Sequence, residues 1–159
     1  MKVGIEVNGK RVEGEVSPWT TLLEFLRDHR YWGVKHGCES GECGACTVML
    51  DGELRVSCLT LAAAADGSRV TTVEALGTAE RLHPIQAAFV AEGAIQCGYC
   101  TPGMILAAKD LLDRNPDPTE AQIRDHLAGV LCRCTGYVKP VRAVQVAARR
   151  MKEGSHAST

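Results

Sequence analysis

The chain has 159 residues, 45% of them apolar, and 18 basic against 19 acidic residues leave a net charge of −1. That is enough apolar material for one domain or two small ones, and the balanced charge excludes a field suited to nucleic acid or an anionic membrane. No apolar run reaches the ~18 residues of a membrane span, and the opening MKVGIEVNGK alternates apolar with polar residues where an export signal would be basic and then apolar.

In chain order, Val3, Ile5 and Val7 alternate, Asn8-Gly9 is a two-residue hairpin turn, and residues 11–16 alternate again, so a β-hairpin is expected first. Ser17-Pro18 breaks the strand, and Thr21 with Glu24 forms a capping box that opens a helix through Leu22, Leu23, Phe25 and Leu26. Thr47–Leu50 and residues 54–58 flank Asp51-Gly52, a second hairpin signal. The alanine run at 62–65 reads as a short helix, and residues 70–73 as one more strand. Beyond a polar link near 77–80 the strand signals stop. Pro84 starts a helix over 85–92, and Thr101 as N-cap with Pro102 at the first helical position leads another through 104–112. Asn115-Pro116-Asp117-Pro118 ends it, Thr119 with Gln122 is a further capping box, Gly129 marks a helix C-terminus, and 141–151 is amphipathic. The final KEGSHAST is polar and expected to fray. The pattern is α+β: a small sheet with a crossing helix over residues 1–76, then a helical bundle over 77–159.

Without an export signal the expected compartment is a reducing cytoplasm, where clustered thiols are more often metal ligands or catalysts than disulfides. The eight cysteines divide at the same boundary: Cys38, Cys43, Cys46 and Cys58 before it, Cys97, Cys100, Cys132 and Cys134 after it. Cys38-x4-Cys43-x2-Cys46 is the spacing of plant-type [2Fe–2S] ferredoxins, which need a fourth thiolate from elsewhere. Asp51-Gly52 as the turn sets Leu50 opposite Glu53, Cys46 opposite Ser57 and Ala45 opposite Cys58, so the hairpin delivers Cys58 beside Cys46. Gly37, Gly41 and Gly44 then suit a loop that wraps a cluster, which needs φ > 0 at some positions and close approach of backbone N–H groups to sulfur. A structural zinc would also take four thiolates, but three in one nine-residue loop match the iron–sulfur pattern better. At the second site Cys97-x2-Cys100 followed by Cys132-x-Cys134 is compatible with zinc and with iron–sulfur alike.

Together GCESGECGACTVMLDG, IQCGYCTPGMIL and LCRCTGY, in that order, resemble the two-cluster iron–sulfur subunit of the molybdenum hydroxylases, the xanthine oxidase family, over residues 2–150. The resemblance implies a β-grasp, ferredoxin-like domain with one [2Fe–2S] cluster and a four-helix domain with another. It implies a large molybdopterin-binding partner and a medium FAD-binding partner, assembled as a dimer of heterotrimers. It places the cluster of Cys97, Cys100, Cys132 and Cys134 beside the pterin, and that of Cys38, Cys43, Cys46 and Cys58 toward the flavin. Gln96 is expected near the pterin dinucleotide, and Cys134 near the pterin amine. The chain departs from the family at Val130, where Asn is common, and at Pro140, where an aliphatic residue is common. The function expected is single-electron relay, with substrate chemistry on the partner. The alternatives are a free-standing ferredoxin joined to a zinc-stabilised helical module, and a disulfide-linked structural module. His29, His36, His83, His126 and His156 read as solvent-facing or local hydrogen-bonders, Trp19, Tyr31 and Trp32 as core or interface packing, and Arg133 as screening thiolate charge or facing an anion of the partner.

Overall fold

The structure, a computed structural model, describes residues 1–156 and combines a five-stranded sheet with five α-helices. Strands β1 (Lys2–Val7) and β2 (Lys10–Glu15) pair antiparallel around Asn8 (φ 53°) and Gly9 (φ 77°), the left-handed pair that a two-residue hairpin turn needs. Alternation turns Val3, Ile5 and Val7 into the core. Helix α1 (Leu22–Asp28) opens with the Thr21–Glu24 capping box and buries Leu22, Leu23, Phe25 and Leu26. Strands β3 (Thr47–Leu50) and β4 (Glu53–Val56) pair in the expected register, Leu50 opposite Glu53 and Thr47 opposite Val56. Strand β5 (Arg69–Thr71) runs parallel to β1 and antiparallel to β3, giving the order β2-β1-β5-β3-β4.

Two strand ends differ from expectation. β4 stops at Val56, and Ser57–Leu59 is a 3₁₀ turn, because the Ser57 hydroxyl donates to the Cys46 carbonyl at 2.7 Å and the Thr60 N–H closes onto the Ser57 carbonyl at 3.3 Å. β5 stops at Thr71, because the Asn8 side chain takes the next residue, accepting from Thr72 N–H and donating to its hydroxyl, both at 2.9 Å. The chain then turns through the 3₁₀ segment Val73–Ala75.

Helix α2 (Pro84–Ala91) starts with proline, and a capping box joins His83 and Gln86. Helix α3 (Thr101–Arg114) has Cys100, not Thr101, as its N-cap, since Met104 N–H already closes on the Cys100 carbonyl at 3.0 Å. Helix α4 (Glu120–Leu127) opens with the Thr119–Gln122 capping box. Helix α5 (Val138–His156) begins before the expected residue 141, with Pro140 in its first turn, where the missing N–H breaks no helical bond. Its far end runs through most of the tail expected to fray, and residues 157–159 lie outside the described residues.

Buried side chains form two clusters. Ile5, Leu22, Leu26, Val34 and Val48 lie between the sheet and α1; Ile85, Phe89, Met104, Ile123 and Leu127 lie among α2 to α5. Each such side chain contributes about 1.5–3 kcal/mol on burial. That packing, rather than intrinsic propensity, holds helices of eight residues such as α2 and α4. Trp19 and Trp32, expected as packing residues, are 76% and 54% exposed in this chain, Trp32 under the Arg27 guanidinium, while Tyr31 packs on the sheet core. Among the described residues no helix is long and apolar enough to cross a membrane.

Candidate iron–sulfur sites

The loop between α1 and β3 carries Cys38, Cys43 and Cys46, and the 3₁₀ turn after β4 carries Cys58. The register puts Ser57 opposite Cys46, as expected, and Cys58 reaches the Cys46 sulfur from the turn, not from a strand. The Cys38 sulfur accepts backbone N–H groups of Ser40 and Cys43, each at 3.4 Å. Hydrogen bonds from Ser40 and Cys43 bring the Cys38 thiol down to about 6, whereas burial and then the neighbouring Cys46 push Cys58 up to about 11. Gly41 (φ 80°) and Gly44 (φ 64°) take the left-handed conformation, and Gly44 has a second reason to lack a side chain. A Cβ there would stand 2.0 Å from the Gly129 carbonyl oxygen, which belongs to the helical half.

At the second site, Cys97 and Cys100 precede α3 and Cys132 and Cys134 lie between α4 and α5. The Cys97 and Cys134 sulfurs are 3.6 Å apart on the exposed side, and Cys100 and Cys132 meet on the inner side. Burial, then Cys132, push Cys100 up to about 12. Burial acts to raise Cys132, but hydrogen bonds, foremost from Thr135 and then from Cys134 and Cys100, together outweigh it and bring the thiol to about 7. Cys134 is raised by its contact with Cys97. Gln96 Nε2 donates to the Cys134 carbonyl at 3.2 Å, so the structure joins the two residues expected at the pterin side. Val130, the departure from the family pattern, is buried in the helical core beside Gly103.

The two loops touch. Leu131 N–H, one residue before Cys132, donates to the Cys43 carbonyl at 2.9 Å. The Tyr99 hydroxyl, between Cys97 and Cys100, donates to the His36 carbonyl just before Cys38. Sequence reasoning assigned no role to Tyr99, Leu131, Thr135 or Tyr137. The only signal for them was their place inside the cysteine motifs, because the contacts they make are to other segments or across a tight loop. Three histidines bond locally, His29 to the Phe25 carbonyl, His36 to Glu39 and His83 as a cap, whereas His126 stands 3.0 Å from the buried Asp110 of another helix. The side chain of His156 lies outside the described residues, and Arg133 is exposed.

Among the described residues no three His, Cys, Asp or Glu side chains close around a single ion. The thiols lie instead as pairs, 38 with 43, 46 with 58, 97 with 134, and 100 with 132. Four thiolates shared two and two suit a binuclear iron cluster better than one tetrahedral zinc.

Comparison with known proteins agrees with this chemistry. The family described as 2Fe-2S iron-sulfur cluster binding domain matches residues 5–72, and that described as [2Fe-2S] binding domain matches residues 72–145. The second match assigns a [2Fe–2S] cluster rather than zinc to the segment 72–145. The chain is 46% identical to the nicotinate dehydrogenase small FeS subunit of Eubacterium barkeri, over 93% of this chain and 95% of that protein. It is 47% identical to the nicotine 6-hydroxylase small subunit of Paenarthrobacter nicotinovorans, over 91% and 87%. In a structure of quinoline 2-oxidoreductase from Pseudomonas putida 86, one chain aligns with a TM-score of 0.91 at 39% identity, covering 97% of both. Aldehyde oxidoreductase from Desulfovibrio gigas aligns with a TM-score of 0.90 at 43% identity, but the 97% of this chain that matches corresponds to only 17% of that longer one. With two [2Fe–2S] segments in one chain and full-length likeness to the small subunits of such oxidoreductases, this protein belongs to the electron-transferring iron–sulfur subunits of the molybdenum hydroxylase family.

Proposed function

We propose that all eight cysteines are ligands. Cys38, Cys43, Cys46 and Cys58 hold one [2Fe–2S] cluster in a β-grasp, ferredoxin-like domain over residues 1–76. Cys97, Cys100, Cys132 and Cys134 hold the other in a four-helix domain over residues 77–159. The observation that carries this reading is the pairing of sulfurs within each set, typified by the 3.6 Å contact of Cys97 with Cys134. Bound there, each cluster supplies one-electron transfer at a potential set by hydrogen bonds to its sulfurs and by exposure.

The chain's own contribution is placement. Cys97 and Cys134 are exposed and Cys100 is buried, so the outer end of the second site, with Gln96 on the Cys134 carbonyl, faces the molybdopterin dinucleotide of a large partner. From the inner end a continuous route leads through Leu131 N–H to the carbonyl of Cys43, itself a ligand of the first cluster. The exposed turn at Glu39-Ser40 lies beside Cys38 and faces the FAD of a medium partner. The resemblance supports a cytoplasmic dimer of heterotrimers, and substrate choice belongs to the molybdenum-binding partner.

The test is metal analysis of the complex purified without oxygen, with EPR after reduction. About four iron and four sulfide per small subunit, no zinc, and two distinct signals are expected. About two iron with one zinc and a single signal would sink the reading.

A further inference from the structure

We propose that Thr135 tunes the second cluster: its hydroxyl donates to the Cys132 sulfur and raises that cluster's reduction potential, with Tyr137 holding both residues in place. The proposal rests on the reading above in one respect, that Cys132 ligates iron. Thr135 Oγ1 stands 3.1 Å from Cys132 Sγ. The same oxygen accepts Tyr137 N–H at 3.2 Å, so a backbone donor occupies one lone pair and leaves the hydroxyl proton for an acceptor on another side. A cysteine bound to iron is a thiolate without a proton of its own, so in the loaded site only the threonine can donate.

Tyr137 closes the frame from its other end. Its hydroxyl accepts Cys132 N–H at 2.8 Å and donates to the Val130 carbonyl at 3.1 Å. One residue therefore orients the donor through its amide and the sulfur-bearing residue through its ring. Tyr137 does so at φ 66°, a left-handed conformation that costs a non-glycine residue energy and persists only where surrounding contacts fix it. Gly136 beside it, φ 60°, is also left-handed, so the loop that returns Thr135 to Cys132 is a tight, fully specified turn.

Reduction adds negative charge to a cluster, and a proton directed at a ligand sulfur stabilises the reduced form more than the oxidised one. Thr135 thus favours electron residence on the cluster of the helical half relative to the cluster of the sheet half. The tether is local to the second site, so its removal acts on one cluster alone.

The experiment is an EPR-monitored redox titration of the intact complex carrying Thr135→Val, Thr135→Ala or Thr135→Ser, alongside the native protein. Val and Ala remove the hydroxyl and Ser keeps it. With Val and Ala the second cluster's one-electron equilibrium moves toward the oxidised form by about fivefold, the factor that one ordinary net hydrogen bond carries. That is a fall of ~40 mV, taking about 59 mV per tenfold for a one-electron couple. The first cluster stays at its native potential, and the Ser variant titrates like the native protein. Loaded Val and Ala variants with an unchanged second potential overturn the proposal. So does a Ser variant that shifts as far as Val, or failure of both Val and Ala to load the second cluster, since a tuning donor is dispensable for loading. A native complex with only one iron–sulfur signal would mean that the ligand assignment itself has failed, and the proposal with it.

Discussion

The sheet half and the helical half each bring four cysteines together, but by different routes. Three of the first four lie in one loop, and the fourth arrives on the hairpin that continues from that loop, so the site is assembled almost entirely by local structure. The second site joins residues 37 positions apart, such as Cys97 and Cys134, and nothing local holds them. They meet only because α3 and α5 share a core with α2 and α4. A site of the first kind survives damage to distant packing. A site of the second kind is as stable as the bundle that carries it.

The largest effect that separates the two is expected from Phe89→Ala. Phe89 is fully buried at the centre of the helical core, and truncation of such a side chain costs about 3–5 kcal/mol, a large share of a small domain's stability. The expected result is loss of the second EPR signal and an early melting step, with the first signal retained. If both signals disappear together, the halves unfold as one unit and the contrast drawn above is wrong.

Acid sharpens the same comparison through metal loading. Each site contains one easily ionised thiol and one reluctant one: Cys38 at about 6 and Cys58 at about 11 in the first, Cys132 at about 7 and Cys100 at about 12 in the second. Thiols held high are protonated at neutral pH, and iron must displace those protons, so loading weakens as pH falls. Reconstitution of the metal-free chain should drop between about pH 8 and about pH 6, and more steeply at the second site, where Cys132 at about 7 takes up its own proton inside that window while Cys38 at about 6 does so only at its lower edge. Equal pH profiles for the two signals would remove the distinction.

The seam between the halves is tested by glycine. Gly44→Ala and Gly52→Ala both force a side chain into the left-handed region, at φ 64° and 86°, which costs about 1–3 kcal/mol. Only Gly44 also abuts the other half, with a Cβ position 2.0 Å from the Gly129 oxygen; at Gly52 nothing lies within 4 Å. Gly52→Ala should therefore lower stability alone. Gly44→Ala should also push Cys43 away from Leu131 and change the EPR signals, which Gly52→Ala should leave as they are.

How much of this could be read in advance follows the same division. The Asn8-Gly9 and Asp51-Gly52 turns, the capping boxes of α1 and α4, and the facing of Cys46 and Ser57 were all legible, because each depends on residues a few positions apart. The spacing of Cys97, Cys100, Cys132 and Cys134 could not separate zinc from iron–sulfur, because spacing says nothing of how sulfurs from separate helix ends pair in space. Gly44 was legible as a glycine that a wrapped loop needs. That the Gly129 carbonyl presses on it was not, because the contact is tertiary. Likewise β4 looked like a strand through Cys58, and only the Ser57 hydroxyl on the Cys46 carbonyl shows why it turns early.

The smallest expected effect belongs to Tyr99→Phe. The ring is 47% exposed and its hydroxyl makes one bond across the seam, to the His36 carbonyl, so loss of that bond should cost about 1 kcal/mol or less. Such a change is small in a melting curve but falls at a particular place, since His36 leads into Cys38 and Tyr99 lies between Cys97 and Cys100. Amide hydrogen exchange should therefore rise in the loop before Cys38, while β1, β2 and the core of α3 keep their protection. A uniform rise across the chain would mean that the bond contributes only general stability. A rise confined to the helical half would mean that the sheet half fixes its own loop without help, and the seam would then rest on Gly44 and on the bond from Leu131 to Cys43.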